Sequence, residues 1–118
     1  MLRIGKQQEE ISVVADQIGS PTYTVDLSVL LVSMIQTEKY GTYHATNEGY
    51  CSWAQLAEEI FRVARYETKV RHIASSAYPT KAMRPLNSRL SKKSLEDSGF
   101  CKLPNWQDAV ARYLKGPF

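Results

Sequence analysis

Ile11-Ser12-Val13-Val14-Ala15, followed by Asp16-Gln17-Ile18-Gly19-Ser20-Pro21 and by a helical pattern from Thr24, is the stretch on which the fold turns. Its first five residues are mostly β-branched or small and read as a short buried strand. Gly19 and Pro21 then break the chain into an ordered loop. From Thr24 onward Val25, Leu27, Val29, Leu30, Leu31, Val32, Met34 and Ile35 leave only Asp26, Ser28, Ser33 and Gln36 as polar relief. A helix apolar on nearly every side needs burial on nearly every side, a demand for more protein than 118 residues readily supply.

Upstream, Met1 to Glu10 reads as the end of a helix whose earlier turns are missing, because no N-cap precedes it. Downstream, Gly41-Thr42-Tyr43-His44-Ala45-Thr46 reads as a second strand, and Asn47-Glu48-Gly49-Tyr50 turns the chain. The next helix is the clearest element. Ser52 as N-cap and Gln55 three residues later form a capping box, and Trp53, Leu56, Ala57, Ile60, Phe61 and Ala64 recur at helical spacing. Glu58 and Arg62 are spaced to pair on its wet side. Residues 69–74 read as a third strand, and a loop from Ser75 to Leu90 carries Pro79 and Pro85. Ser91 begins a short helix ended by Gly99, and Asn105 with Asp108 caps a last helix striped by Trp106, Ala109, Val110, Tyr113 and Leu114. Helices alternating with short strands define an α/β class with crossover helices, expected here as one domain over residues 1–118.

Composition narrows the function. With 43% hydrophobic and 23% charged residues, the chain can build a core and is not a disordered tail. The longest apolar run, Val29 to Val32, is far shorter than the roughly 20 residues of a membrane span. Residues 1–10 turn polar too soon for a secretory signal, so a cytoplasmic location and no membrane partner are expected. Cys51 and Cys101 lie in no zinc-like spacing and read as reduced, buried thiols, and no metal site is expected. Residues 1–59 hold 3 basic and 8 acidic groups, residues 60–118 hold 12 and 4. The second half can attract an anion. Its basic residues are scattered rather than banked with aromatics, so a small phosphorylated ligand fits better than nucleic acid, with a merely solvated basic face as the plainer alternative.

The glycines at 5, 19, 41, 49, 99 and 116 form no Gly-x-Gly-x-x-Gly, Gly-x-x-Gly-x-x-Gly or P-loop, so the chain has no dinucleotide or triphosphate cradle. No tyrosine has a lysine four residues later, and neither His44 nor His72 belongs to a recognisable nucleophile arrangement. No catalytic residue is therefore expected, and both histidines read as structural. Two segments carry more polar detail than packing needs. Asp16 to Thr24 places an amide, hydroxyls and a flexible glycine before a helix N-terminus, where an ordinary turn capped by Thr24 is the plainer reading. Arg84-Pro85-Leu86-Asn87-Ser88 offers, on a proline-stiffened loop, an arginine fork suited to phosphate oxygens; a surface arginine is the alternative.

Three segments in order, Val13 to Leu27 with its Asp16-Gln17-Ile18-Gly19-Ser20-Pro21-Thr22, Gly41 to Trp53, and Arg84 to Leu90, together with Trp106 to Val110, Tyr113 and Leu114, resemble the dTDP-4-dehydrorhamnose reductase family. The likeness spans nearly the whole chain, which resembles the C-terminal two-fifths of such an enzyme. It implies the substrate-binding lobe of an extended short-chain dehydrogenase/reductase, with the Rossmann part that carries the Gly-rich turn and the Ser/Thr, Tyr and Lys group missing. The whole enzyme reduces dTDP-4-dehydro-L-rhamnose to dTDP-L-rhamnose with NAD(P)H, for surface polysaccharide; the 118 residues alone bind no cofactor and are expected to be inactive. Gln17, Gly19, Ser20, Pro21, Thr22 and Arg84 are the implied contacts to the dTDP-sugar, Gln17 and Thr22 by hydrogen bonds and Arg84 by charge.

The family's architecture also implies that the strand near Tyr43 joins the edge of the Rossmann sheet and the apolar helix from Thr24 packs against it, so that either this part or a second copy of the chain, as a homo-oligomer, is the expected partner. Relatives of these reductases serve as regulatory subunits of methionine adenosyltransferase, which makes a non-catalytic binding module the competing reading. A remnant that binds nothing is a third.

Overall fold

Strand β1 (Glu10–Val14) runs parallel to a strand at Lys69–Ile73, in register from Glu10 opposite Lys69 to Val14 opposite Ile73. In chain order the computed structural model, which describes residues 1–116, has α1 (Leu2–Gly5), β1, β2 (Ile18–Gly19), α2 (Thr24–Ile35), β3 (Cys51–Ser52), α3 (Trp53–Ala64), β4 (Lys69–Ile73), a 3-10 turn (Ser75–Ala77), α4 (Lys93–Asp97) and α5 (Trp106–Lys115). These form two compact units, one of residues 1–19 with 51–88, the other of residues 20–50 with those from 89 onward. The class is α/β, as the residue pattern implies.

In the first unit a parallel pair requires a crossover, and α3 precedes β4 as the helix that covers it. Alternation along β1 turns Ile11 and Val13 inward and leaves Glu10 and Ser12 exposed. The inward pair packs on Ala54, Ala57 and Phe61 of α3. Both halves of the predicted capping box form: the Gln55 N–H donates to Ser52 Oγ at 3.1 Å, and the Ser52 N–H donates to Gln55 Oε1 at 2.9 Å. At the far end Arg65 closes α3 in the left-handed region, at φ 57°. Gly5 is buried against Phe61, and a Cβ there would stand 2.6 Å from the ring, so only glycine lets α1 approach α3 this closely.

In the second unit Leu30 of α2, Leu95 of α4 and Leu103 form the core, with Met34, Tyr43, Ala45 and Phe100 packed on it. Trp106, Ala109 and Val110 are the buried side of α5, as their spacing predicts, but Tyr113 of the same stripe is 64% exposed. Gly99 ends the α4 segment at φ 78°, also as predicted.

Four local expectations are corrected. Among the described residues, Gly41 to Thr46 forms no strand. A strand exists only through a ladder, and none is formed here. Tyr43 instead donates to the Lys39 carbonyl at 2.9 Å and meets Phe100 edge to face. Arg62 pairs with Glu59 rather than Glu58, through Nε at 2.8 Å and Nη2 at 2.6 Å, since three residues along a helix places the carboxylate squarely before the guanidinium. Glu58 takes His72 of β4 at 2.6 Å. Asn105 stands at the N-cap of α5 without a side-chain capping bond, and Asp108 accepts from Arg112 Nε at 2.8 Å. Cys51 is buried and Cys101 is exposed.

The apolar helix keeps its predicted span but not its predicted burial. Within α2 only Asp26 and Leu30 are buried, and Val29 and Ile35 are 67% and 80% exposed. Val25, Val29, Val32 and Ile35 recur at helical spacing and leave an apolar stripe of α2 exposed.

Candidate functional site

Asp16 lies two residues past β1 and turns toward the 3-10 segment, where its carboxylate accepts the Ser75 hydroxyl at 2.6 Å and the Ser75 N–H at 2.9 Å. The hydroxyl bond, followed by the backbone bond, holds its pKa below the ordinary carboxylate value. Gln17 Nε2 donates to the same Ser75 hydroxyl oxygen at 2.9 Å. Ser75 thus fixes both residues at the start of the predicted binding loop.

Ile18 then joins two ribbons. On one side β2 pairs antiparallel with β3, Ile18 opposite Ser52 and Gly19 opposite Cys51. On the other side Ile18 bridges in parallel to Asn87: its N–H donates to the Leu86 carbonyl at 2.8 Å, and the Ser88 N–H donates to the Ile18 carbonyl at 2.8 Å. The Gln17-Ile18-Gly19 and Arg84 to Ser88 segments, 67 residues apart from Gln17 to Arg84, are therefore stitched backbone to backbone. Arg84 itself is exposed. A Cβ at Gly19 would lie 3.6 Å from Ser88 Cβ, an ordinary contact, so this glycine is not demanded by space.

Ser20 and the residues after it belong to the second unit. The Ser20 hydroxyl donates to the Gly49 carbonyl at 2.6 Å, and the Tyr23 N–H donates to Asn47 Oδ1 at 2.7 Å. Tyr23, not Thr24, holds the N-cap position of α2. Pro21 is half-buried and Thr22 exposed between these anchors; no residue from Asp16 to Thr24 is fully buried.

Sequence reasoning missed Ser75 and Asn47, whose partners lie 21 to 59 positions away and leave no local spacing to read. It also missed Lys92. Its ammonium is buried 2.9 Å from Glu48 Oε1 and 5.5 Å from the centre of the Tyr50 ring, beside which the Arg89 guanidinium lies at 5.4 Å. His72 is consumed by Glu58, and His44 is exposed in irregular chain. Among the described residues no cluster of His, Cys, Asp and Glu is arranged for a metal ion, and no helix is long and apolar enough to cross a membrane. The site can hold a polar ligand by hydrogen bonds and charge; it displays no acid, base and nucleophile set among these residues.

The α/β scaffold thus holds two polar loops side by side. Residues 1–117 match the family model of the RmlD substrate binding domain, and the chain belongs to that family. It is 36% identical over 115 residues to the spore coat polysaccharide biosynthesis protein SpsK of Bacillus subtilis, covering 98% of this chain and 40% of that protein. Against the dTDP-4-dehydrorhamnose reductase of Escherichia coli strain K12 the identity is 33% over 129 residues, covering 100% of this chain and 43% of that one. Among solved structures, the dTDP-4-dehydrorhamnose reductase of Bacillus anthracis, in complex with NADP, superposes with a TM-score of 0.90 at 41% identity, over 98% of this chain and 41% of that one. The reductase ortholog of Clostridium acetobutylicum gives 0.93 at 36% identity, over 97% and 41%. The chain thus spans about two-fifths of the length of these relatives, their C-terminal part.

Proposed function

We propose that this chain is the substrate-binding part of a dTDP-4-dehydrorhamnose reductase, and that it grips the nucleotide-sugar whose 4-keto group the whole enzyme reduces with NAD(P)H in dTDP-rhamnose and surface polysaccharide biosynthesis. The observation that carries this reading is the stitching at Ile18, which holds the Gln17 segment beside the arginine-bearing loop and gives both a common rigid base. Gln17, Gly19, Ser20, Pro21 and Thr22 line the contact to the dTDP-sugar, with hydrogen bonds from Gln17 and Thr22, and Arg84 neutralises diphosphate charge.

The residues present do not fit a dinucleotide. The turn from β2 into α2 carries a single glycine, then Pro21, and the Tyr23 N–H at the mouth of the helix is already taken by Asn47. No chemical step is assigned to these residues, and the 118-residue chain alone turns over no substrate. The chain works as one substrate-binding domain in the cytoplasm. Its partner is the Rossmann part of the reductase, or a second copy of itself, and the exposed Val29, Val32 and Ile35 of α2 are the surface such a partner covers.

Titration calorimetry of the chain with dTDP-rhamnose tests the reading. Binding is expected, and Arg84→Ala should weaken it by about tenfold or more, the worth of one charge-assisted bond to phosphate. Failure of the unaltered chain to bind would overturn the assignment. Binding that persists without turnover after the Rossmann part is supplied would favour a non-catalytic module.

A further inference from the structure

Helix α2 opens without a cap of its own. Tyr23 holds the N-cap position and its side chain makes no capping bond. In a capping box the third helical residue accepts the N-cap N–H; here that residue is Asp26, and its carboxylate is turned elsewhere. Arg112 donates Nη1 to Oδ1 and Nη2 to Oδ2, each at 2.7 Å, while its guanidinium lies 5.2 Å from the centre of the Tyr23 ring. The box is nevertheless closed through a third residue. Asn47 Nδ2 donates to Asp26 Oδ2 at 2.7 Å, and Asn47 Oδ1 takes the Tyr23 N–H at 2.7 Å. Asn47 is wholly buried, and its Nδ2 also donates to the Pro104 carbonyl at 3.0 Å, so its orientation is set from three directions. The same turn holds the loop at its other end, where the Gly49 carbonyl accepts the Ser20 hydroxyl at 2.6 Å. Gly49 sits at φ 82°, and a Cβ there would meet Trp106 at 3.0 Å, which fixes the turn in place.

We propose that Asn47 is a positioning residue for substrate: it relays the fixed Asp26–Arg112 pair onto the Tyr23 N–H and so holds Ser20-Pro21-Thr22 in the shape that meets the nucleotide-sugar. This rests on the reading that Thr22 touches that ligand. The exposed Thr22 lies between two anchors, both supplied by residues 47–49, and releasing one of them frees the segment without removing any group that contacts ligand.

The test uses the full 118-residue chain, with amide hydrogen exchange at Ser20, Thr22 and Tyr23 and calorimetry with dTDP-rhamnose. In the unaltered chain the Tyr23 amide should be protected. Asn47→Ala should speed its exchange roughly tenfold or more and weaken dTDP-rhamnose by a similar factor, while amides of α3 keep their protection. Asn47→Ser, which keeps a hydroxyl at the site without placing a second buried carboxylate beside Asp26, should lose less of both than Asn47→Ala and serves if the alanine variant does not fold. Unchanged Tyr23 exchange in Asn47→Ala, or a freed loop with unchanged affinity, overturns the positioning role. No binding by the unaltered chain overturns the substrate reading and the role that rests on it, and the exchange data then show separately whether the anchor exists.

Discussion

Arg112→Ala tests the energetics of the second unit most directly, because it strands a buried charge. Asp26 is 8% exposed and keeps a single donor, Asn47 Nδ2, once both guanidinium bonds at 2.7 Å are lost. Breaking a fully buried pair from one side costs roughly 3–5 kcal/mol. The Arg112 side chain is 36% exposed, so water already screens part of the attraction, and about 2–3 kcal/mol is the expected loss. Asp26→Ala should cost less, about 1–2 kcal/mol, since Arg112 keeps Asp108 and water. The two losses should not add, because both remove the same bonds.

The dependence on pH gives the sign. Hydrogen bonding from Arg112, ahead of the opposing burial, holds the folded Asp26 pKa below its ordinary 3.8. The stability it contributes is present above that value and is lost as pH falls through the lower folded value. Without Arg112 the burial dominates and favours the neutral acid, so the deficit of Arg112→Ala should shrink below about pH 4. Urea unfolding of a Trp53→Phe background, so that fluorescence reports Trp106 alone, at about pH 7 and again near pH 3.5, measures both quantities. A larger loss for Asp26→Ala, or a deficit that ignores pH, would refute the account of a stranded carboxylate.

Two further outcomes are simpler to measure. Burial pushes the Cys51 thiol up to about 11, while Cys101 is exposed, so a maleimide reagent at neutral pH should modify one thiol quickly and the second only in denaturant; two fast thiols would contradict the fold around β3. Ser52→Ala removes the oxygen that accepts the Gln55 N–H at 3.1 Å and should cost about 1 kcal/mol of unfolding free energy, and a change below about 0.3 kcal/mol would mean that the box does not hold the start of α3.

In helix α3 the start at Ser52, the capping box and the inward Ala57 and Phe61 were legible, because that information lies within a dozen consecutive residues, whereas Trp53 of the same stripe is 51% exposed and Arg62 pairs with Glu59 rather than Glu58. The pair β1 and β4 was legible as two strands, and their parallel register was not. Gly41 to Thr46 has the composition of a strand and none of its hydrogen bonds, because pairing depends on a neighbour that local sequence does not name. In α2 the span was right and the burial was not, since period fixes where apolar residues fall on a helix but not what lies against them. The loop motifs at Gln17 and Arg84 stood out by their polar content, whereas Ser75 and Asn47, which fix the loop around Gln17 and Tyr23, gave no signal at all.

The sequence by itself determined the α/β class, the long helices, the glycine stops, the lack of a phosphate-cradling turn and the segments that bear the family likeness. Those features follow from backbone preference and side-chain period, which act over one or two helical turns. Only the tertiary structure decided that Ile18 joins the two loops, that Asn47 closes the start of α2 on behalf of Asp26, and that most of the apolar face of α2 is left open. Each of these depends on groups brought within about 3–4 Å from distant parts of the chain, and hydrogen bonds and packing respond to that distance rather than to separation in sequence.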